Sequence, residues 1–182
     1  MQYTRFGRTG LQVSRLTLGT MTFGGQVDEP TACSIMDAAF EHGITLFDTA
    51  DMYPPSGYPE RQGATDEIIG RWMAASAGRR DDVLIATKCF FPSGRRRWEA
   101  GNSRHNVIRS LEESLRRLGT DHVDLYQVHS WDPGTPIDET LQAFDDIVRS
   151  GKARYIGCSN VLAYQLARSI GRAEVLGTVR FE

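Results

Sequence analysis

Four residues of this chain carry chemistry that fits together: Asp48, Tyr53, Lys88 and His129. A lysine held partly out of water needs a counter-charge, and Asp48 can supply it. An ammonium close to the Tyr53 hydroxyl would favour the phenolate and lower a pKa that starts near ~10. A tyrosine tuned in this way can give its proton to a carbonyl oxygen as that oxygen becomes an alkoxide. Neutral His129 can donate a hydrogen bond to the same oxygen and orient the molecule that carries it. The set suits carbonyl reduction, with the hydride left to a cofactor. Each residue taken singly has a plainer role: a turn aspartate, a half-buried tyrosine, a lysine reaching for solvent, a structural histidine.

The elements that must position these groups alternate along the chain. Residues 3–14, split by Gly7-Arg8-Thr9-Gly10, suggest a hairpin. A short strand at 16–18 follows. The next helix is capped by Asp28, carries Pro30 in its first turn, presents Ile35, Met36, Ala39 and Phe40 on one side, and stops at Gly43. A second strand over 44–49 leads into a loop with Pro54, Pro55, Gly57 and Pro59. Then come a helix over 65–77, a strand over 83–87, a helix over 103–118, a strand over 123–128, a helix from Ile137 to a stop at Gly151, and a strand over 155–158. In the helix over 103–118, Ile108, Leu111, Leu115 and Leu118 share one face. Asn160 can cap a last helix running to Ile170, and Val179 and Phe181 suggest a sixth strand.

Five strand–helix units in a row argue for a parallel sheet with right-handed crossovers, an α/β fold. An open doubly wound sheet and part of an eight-stranded barrel both fit. Asp48, Lys88 and His129 fall at the ends of successive strands and Tyr53 in the loop after one, so in a barrel all would share the rim that carries active sites. The open-sheet alternative lacks a Gly-rich G-x-G-x-x-G turn, because Gly19 and Gly24-Gly25 do not make that pattern.

The net charge of −2 gives no reason to expect nucleic acid or an anionic membrane as partner. No apolar stretch approaches a membrane span, and Gln2, Arg5 and Arg8 interrupt any signal-like run. Two short basic runs, Arg79-Arg80 and Arg95-Arg96-Arg97, read as solvated loops or helix ends, with a phosphate or acidic-substrate contact as the other reading. Cys33, Cys89 and Cys158 lack metal-ligand spacing, so no metal is expected, and they suit a reducing cytoplasm as small apolar residues. Cys89, beside Lys88, is the one candidate for redox sensing.

The motifs also match a family. Leu18-Gly19-Thr20-Met21-Thr22-Phe23-Gly24, Phe47-Asp48-Thr49-Ala50-Asp51-Met52-Tyr53, Ala86-Thr87-Lys88, Asp124-Leu125-Tyr126-Gln127-Val128-His129 and Ile156-Gly157-Cys158-Ser159-Asn160 stand in order across the chain. In these runs the sequence closely resembles the aldo-keto reductases, NADPH-dependent enzymes built on the (β/α)8 TIM barrel that reduce aldehydes or ketones. The resemblance implies that Tyr53 is the general acid, Lys88 and Asp48 its tuning pair, and His129 the orienting residue. It implies that Thr20, Met21, Asp48, Ser159 and Asn160 lie against the nicotinamide end of NADP. Phe23 and Trp131 are implied as substrate-pocket walls, with simple core packing as the alternative. The N-terminal hairpin resembles the family's plug under the barrel.

The family continues through three further strands that hold the rest of the cofactor. The resemblance therefore implies a single domain over 1–182, truncated after about five strand–helix units. Exposed strand edges and self-association are expected of such a chain made alone. Two other functions stay open: a cofactor-binding regulatory subunit, since potassium-channel β subunits resemble the same family, and an inactive fragment.

Overall fold

The computed structural model describes residues 1–55, 57 and 59–182. Strands β1 (Tyr3–Arg5) and β2 (Gln12–Ser14) pair antiparallel as the expected hairpin. Strand β3 (Thr17–Gly19) then opens a series of β/α units. Helix α1 (Glu29–Glu41), β4 (Leu46–Asp48), α2 (Ala64–Ala74), a short α3 (Arg79–Asp82), β5 (Leu84–Cys89), α4 (Arg104–Leu118), β6 (Val123–Val128), α5 (Ile137–Arg149), β7 (Ala153–Cys158) and α6 (Ala163–Leu176) follow in turn. Strands β3 to β7 lie side by side in sequence order, all parallel. This is the succession of units in a (β/α)8 barrel, and the open-sheet alternative, whose strand order reverses at a switch point, is set aside.

Local chemistry sets most of the boundaries. The Asp28 carboxylate accepts from Thr31 N at 3.0 Å and Ser103 Oγ from Asn106 N at 3.4 Å, so each relieves an orphan donor at its helix start. Gly151 follows α5 at φ +78°, a backbone state that costs glycine nothing.

Side chains alternate across each strand. Phe47, Ile85, Cys89, Tyr126, Val128 and Ile156 point outward into the main core against the helices. Leu46, Leu84, Ala86, Leu125 and Tyr155 point inward, where Val13, Phe6 and Leu11 of the hairpin cover them. The Phe6 ring meets Tyr155 edge-on with centroids 6.1 Å apart. One strand step beyond the apolar inner layer, the same face carries Asp48, Lys88 and Gln127. The inner surface thus runs from apolar under the hairpin to charged at the strand ends.

Four expectations need correcting. Asn160 is not a helix cap: the cap is Leu162, two residues later, and Asn160 stands in the left-handed region at φ +52°. Val179 and Phe181 form no strand. Only Glu182 N reaches the edge of β7, donating to Ile156 O at 3.1 Å, while Val179 N is taken by Asp145 Oδ1. One bond makes no ladder. The proline-rich segment ends in a 3-10 turn at Pro59–Arg61, and its Ser56 and Tyr58 lie outside the described residues. Finally, Arg79 and Arg80 are half-buried and engaged rather than freely solvated. Arg80 bonds the Thr120 hydroxyl, the Val83 and His122 carbonyls and Asp124, and Arg79 sits 4.5 Å over the Trp72 ring. Asp124 Oδ2 also accepts from Ile85 N, so Arg80 ties the starts of β5 and β6 together.

Candidate active site

Asp48 ends β4, and Lys88 and Gln127 are cross-strand partners on β5 and β6. That register brings three polar side chains to one inner layer. Lys88, 6% exposed, donates to Asp48 Oδ2 at 2.6 Å and to the Thr49 carbonyl at 2.8 Å. Gln127 Nε2 reaches the other Asp48 oxygen at 3.3 Å. The buried ammonium is therefore paired and hydrogen-bonded, as a buried charge must be.

His129 follows β6, and its amide continues the ladder to Cys89 O at 2.9 Å. Its Nε2 stands 3.5 Å from the Tyr53 hydroxyl, with the two rings edge to face. Burial first, and Lys88 second, push the His129 pKa down to about 4, so the ring is neutral at physiological pH. A neutral imidazole can donate from one nitrogen only, and Nδ1 has no partner among the described residues.

Tyr53 departs from the sequence expectation. Lys88 was expected to lower its pKa. Instead burial, followed by the charges of Asp48 and Asp51, raises it to about 12. The reason is geometric. Lys88 Nζ lies 5.1 Å from the tyrosine ring centroid, and its donors go to Asp48 and Thr49. Asp48 cancels the cation that was to stabilise the phenolate. Tyr53 is held as a protonated donor at rest.

The remaining predicted residues divide. Thr20 is fully buried, and both its hydroxyl and its amide donate to the Asp48 carbonyl, at 2.8 and 3.1 Å. Met21 is exposed. Ser159 N bonds Val128 O, and Asn160 Nδ2 donates to the His129 carbonyl at 2.8 Å and to Ser159 Oγ at 3.2 Å. Asn160 remains exposed at the rim, with its amide oxygen free among the described residues. It can therefore meet a planar carboxamide such as that of nicotinamide. Phe23 is 2% exposed within the main core, so its ring offers no wall to a substrate in this conformation. Trp131 is half-buried and borders an open recess of about 380 Å³ between residues 131–137 and Arg168.

Sequence reasoning overlooked two contacts. The Phe91 ring packs edge-on against His129 with centroids 4.9 Å apart. It lies three residues after Lys88, a spacing that could have drawn notice. Gln127 lies within the run Asp124–His129, and its register against Lys88 appears only once the strands are paired. Cys89, the redox candidate, points into the core and burial pushes its thiol far up, the opposite of a reactive thiolate.

The chain matches the model of the aldo/keto reductase family over residues 15–177. It is 47% identical over 178 residues to the uncharacterised oxidoreductase YrpG of Bacillus subtilis (strain 168), covering 96% of this chain and 54% of that protein. It is 38% identical over 170 residues to the aldo-keto reductase YhdN of the same organism, covering 91% of this chain and 49% of the relative. A probable voltage-gated potassium channel subunit beta of Arabidopsis thaliana is 36% identical over 180 residues, covering 98% and 52%. The chain spans about half the length of these relatives.

Proposed function

Because the chain belongs to the aldo/keto reductase family, we propose that its protein reduces aldehydes or ketones to alcohols, with NADPH as the hydride donor. The observation that carries this reading is the pairing of two opposite protonation habits at one point. The Tyr53 hydroxyl keeps its proton and His129 stays neutral, 3.5 Å apart, with Lys88 and Asp48 behind them. A carbonyl oxygen between the two rings would accept from both. Bound NADPH supplies the hydride. As the oxygen gains negative charge, the Tyr53 proton passes to it. The Lys88 ammonium, 5.1 Å from the ring centroid, would attract the phenolate left behind more than the resting phenol, by the part of its charge that Asp48 leaves uncompensated. Phe91 and Trp131 would shield the substrate from water. Met21, Ser159 and Asn160 would hold the nicotinamide end, while Thr20, fully buried with both donors on the Asp48 carbonyl, fixes the strand end behind it and is not itself a cofactor contact.

Tyr53→Phe keeps the ring and removes the acid. It should lower NADPH-dependent reduction of an aromatic aldehyde by about 10²–10⁴-fold, with NADPH binding, followed by fluorescence, unchanged. Undiminished turnover in this variant would overturn the assignment. We further propose a cytoplasmic location, where the free thiols Cys33, Cys89 and Cys158 would persist. The similarity to potassium-channel β subunits supports a second reading, in which the same site binds cofactor in the service of a protein partner. Cofactor binding without turnover on any carbonyl would favour it.

A further inference from the structure

Beneath the catalytic rim two carboxyl groups are buried with few partners. Asp51 is 1% exposed, and neither of its carboxyl oxygens takes a well-formed hydrogen bond among the described residues, the Ser110 hydroxyl being the polar group that most favours its ionised form. Asp66 is fully buried: Oδ1 accepts from the Thr49 hydroxyl at 2.7 Å and Oδ2 has no partner. The backbone fixes Asp51 on both sides. Its amide donates to Lys88 O at 3.0 Å, and its carbonyl accepts from Arg117 at 3.1 Å. The carboxyl is therefore held away from water.

Charged and titratable groups face Asp51 from every neighbouring element. Asp66 stands on α2, Arg109 and Arg117, both paired with Glu113, on α4, Lys88, whose carbonyl takes the Asp51 amide, and Cys89 on β5, Tyr126 on β6, and Tyr53 in the loop after β4. Lys88 is committed to Asp48. Of the rest, three acids (Asp51, Asp66, Glu113) face two arginines (Arg109, Arg117). Those arginines bond Glu113, Ser93, Asn106, Ser110 and the Asp51 carbonyl, Arg109 Nε is left without a partner, and neither arginine reaches an aspartate carboxyl among the described residues. One proton on the aspartate pair levels the count. A neutral carboxyl is also far cheaper to bury than an unpaired carboxylate. In keeping with this, burial first and the Asp66 charge second raise Asp51 to about 7, and burial raises Asp66 to about 6.

We propose that Asp51 holds this proton in the resting protein and is a positioning residue for Tyr53, two residues along the chain: neutral, it leaves the tyrosine free to give its proton to a carbonyl oxygen, and ionised, it opposes the phenolate. The proposal rests on the reductase reading for its purpose but not for its test. The optical titration of tyrosinate in the purified chain, with Tyr53→Phe subtracted, isolates Tyr53. Asp51 is ionised at the alkaline pH where Tyr53 titrates, so Asp51→Asn should weaken the proton affinity of Tyr53 by about tenfold. A carbonyl-stretch band of a buried protonated carboxyl should appear in the infrared spectrum of the wild type at pH 6 and weaken in Asp51→Asn, where only Asp66 can still carry a proton. In turnover, the wild type should slow as pH rises through 7, and Asp51→Asn should lack that limb.

Asp66→Asn supplies a second variant. Removing the neighbouring charge should shift loss of the band to lower pH. A folded Asp51→Asn with an unmoved Tyr53 titration overturns the proposal and leaves the reductase reading standing. Absence of the band from the wild type overturns it whether or not any variant folds. Absence of turnover touches only the reductase reading.

Discussion

Substituting Gly70 sets two opposing effects against each other. Gly70 lies inside α2, where alanine is favoured over glycine by about 0.8–1.0 kcal/mol. A Cβ there, however, would stand 2.5 Å from the Arg117 carbonyl oxygen and 2.9 Å from the carbonyl carbon and oxygen of Leu118. All three are backbone atoms at the end of α4. That end cannot yield easily, because Leu118 is 1% exposed and the Arg117 side chain is anchored on the Asp51 carbonyl. Helix α2 cannot withdraw easily either, since its Trp72 is 2% exposed and donates to Asp37 at 2.8 Å. Overpacking of this kind costs about 1–3 kcal/mol, occasionally more. With three backbone atoms inside 3.0 Å the cost falls in the upper part of that range, about 2–3 kcal/mol, so the clash should win for a net loss of about 1–2 kcal/mol. Gly171 in α6 is the control: it is exposed, and an added Cβ meets nothing within 4 Å. Gly171→Ala should therefore stabilise by up to about 1 kcal/mol. Urea unfolding followed by circular dichroism reads both. With an m-value of about 2 kcal/mol per molar, Gly70→Ala should lower the midpoint by roughly 0.5–1 M at constant m, and Gly171→Ala should raise it. A Gly70→Ala midpoint at or above that of the wild type would refute the claim that α2 and α4 meet backbone to backbone.

Two further outcomes follow from burial. The folded His129 pKa of about 4 lies below the unfolded value of 6.5, so the unfolded chain binds the extra proton between those limits. Stability should then fall as pH drops from 6.5 to 4, by at most about 3 kcal/mol relative to His129→Asn, and parallel pH–stability curves for the two proteins would count against a buried neutral ring. Iodoacetamide at pH 8 should modify Cys33 and Cys158 and spare Cys89 until denaturant is added, because burial pushes its thiol far up. Labelling of Cys89 at the rate of the other two would show its strand face to be open.

Much of this protein was legible in the order of its residues. Apolar periodicity, the Asp28 cap and the Gly43 and Gly151 stops are nearest-neighbour effects, felt by the chain before it folds. They located every β/α unit, and with them the strand ends on which Asp48, Lys88 and His129 sit. The need of a buried lysine for a counter-charge likewise foretold the Lys88–Asp48 pair. The misjudged features depend on packing and on partners that only the folded chain brings together. Arg80 looked solvated until β6 delivered Asp124 and the His122 carbonyl to it. Asn160 looked like a cap until its amide found the His129 carbonyl. Asp51 was one more letter in a motif until α2 and α4 closed over it and left its carboxyl dry. The acidity of Tyr53 came out opposite in sign, because desolvation and the neutralising of Lys88 by Asp48 outweigh the attraction of the bare cation. Sequence determines which groups a chain brings to its rim. Only packing decides how much water each keeps and which partner reaches it first, and these two quantities set the charge state on which the chemistry depends.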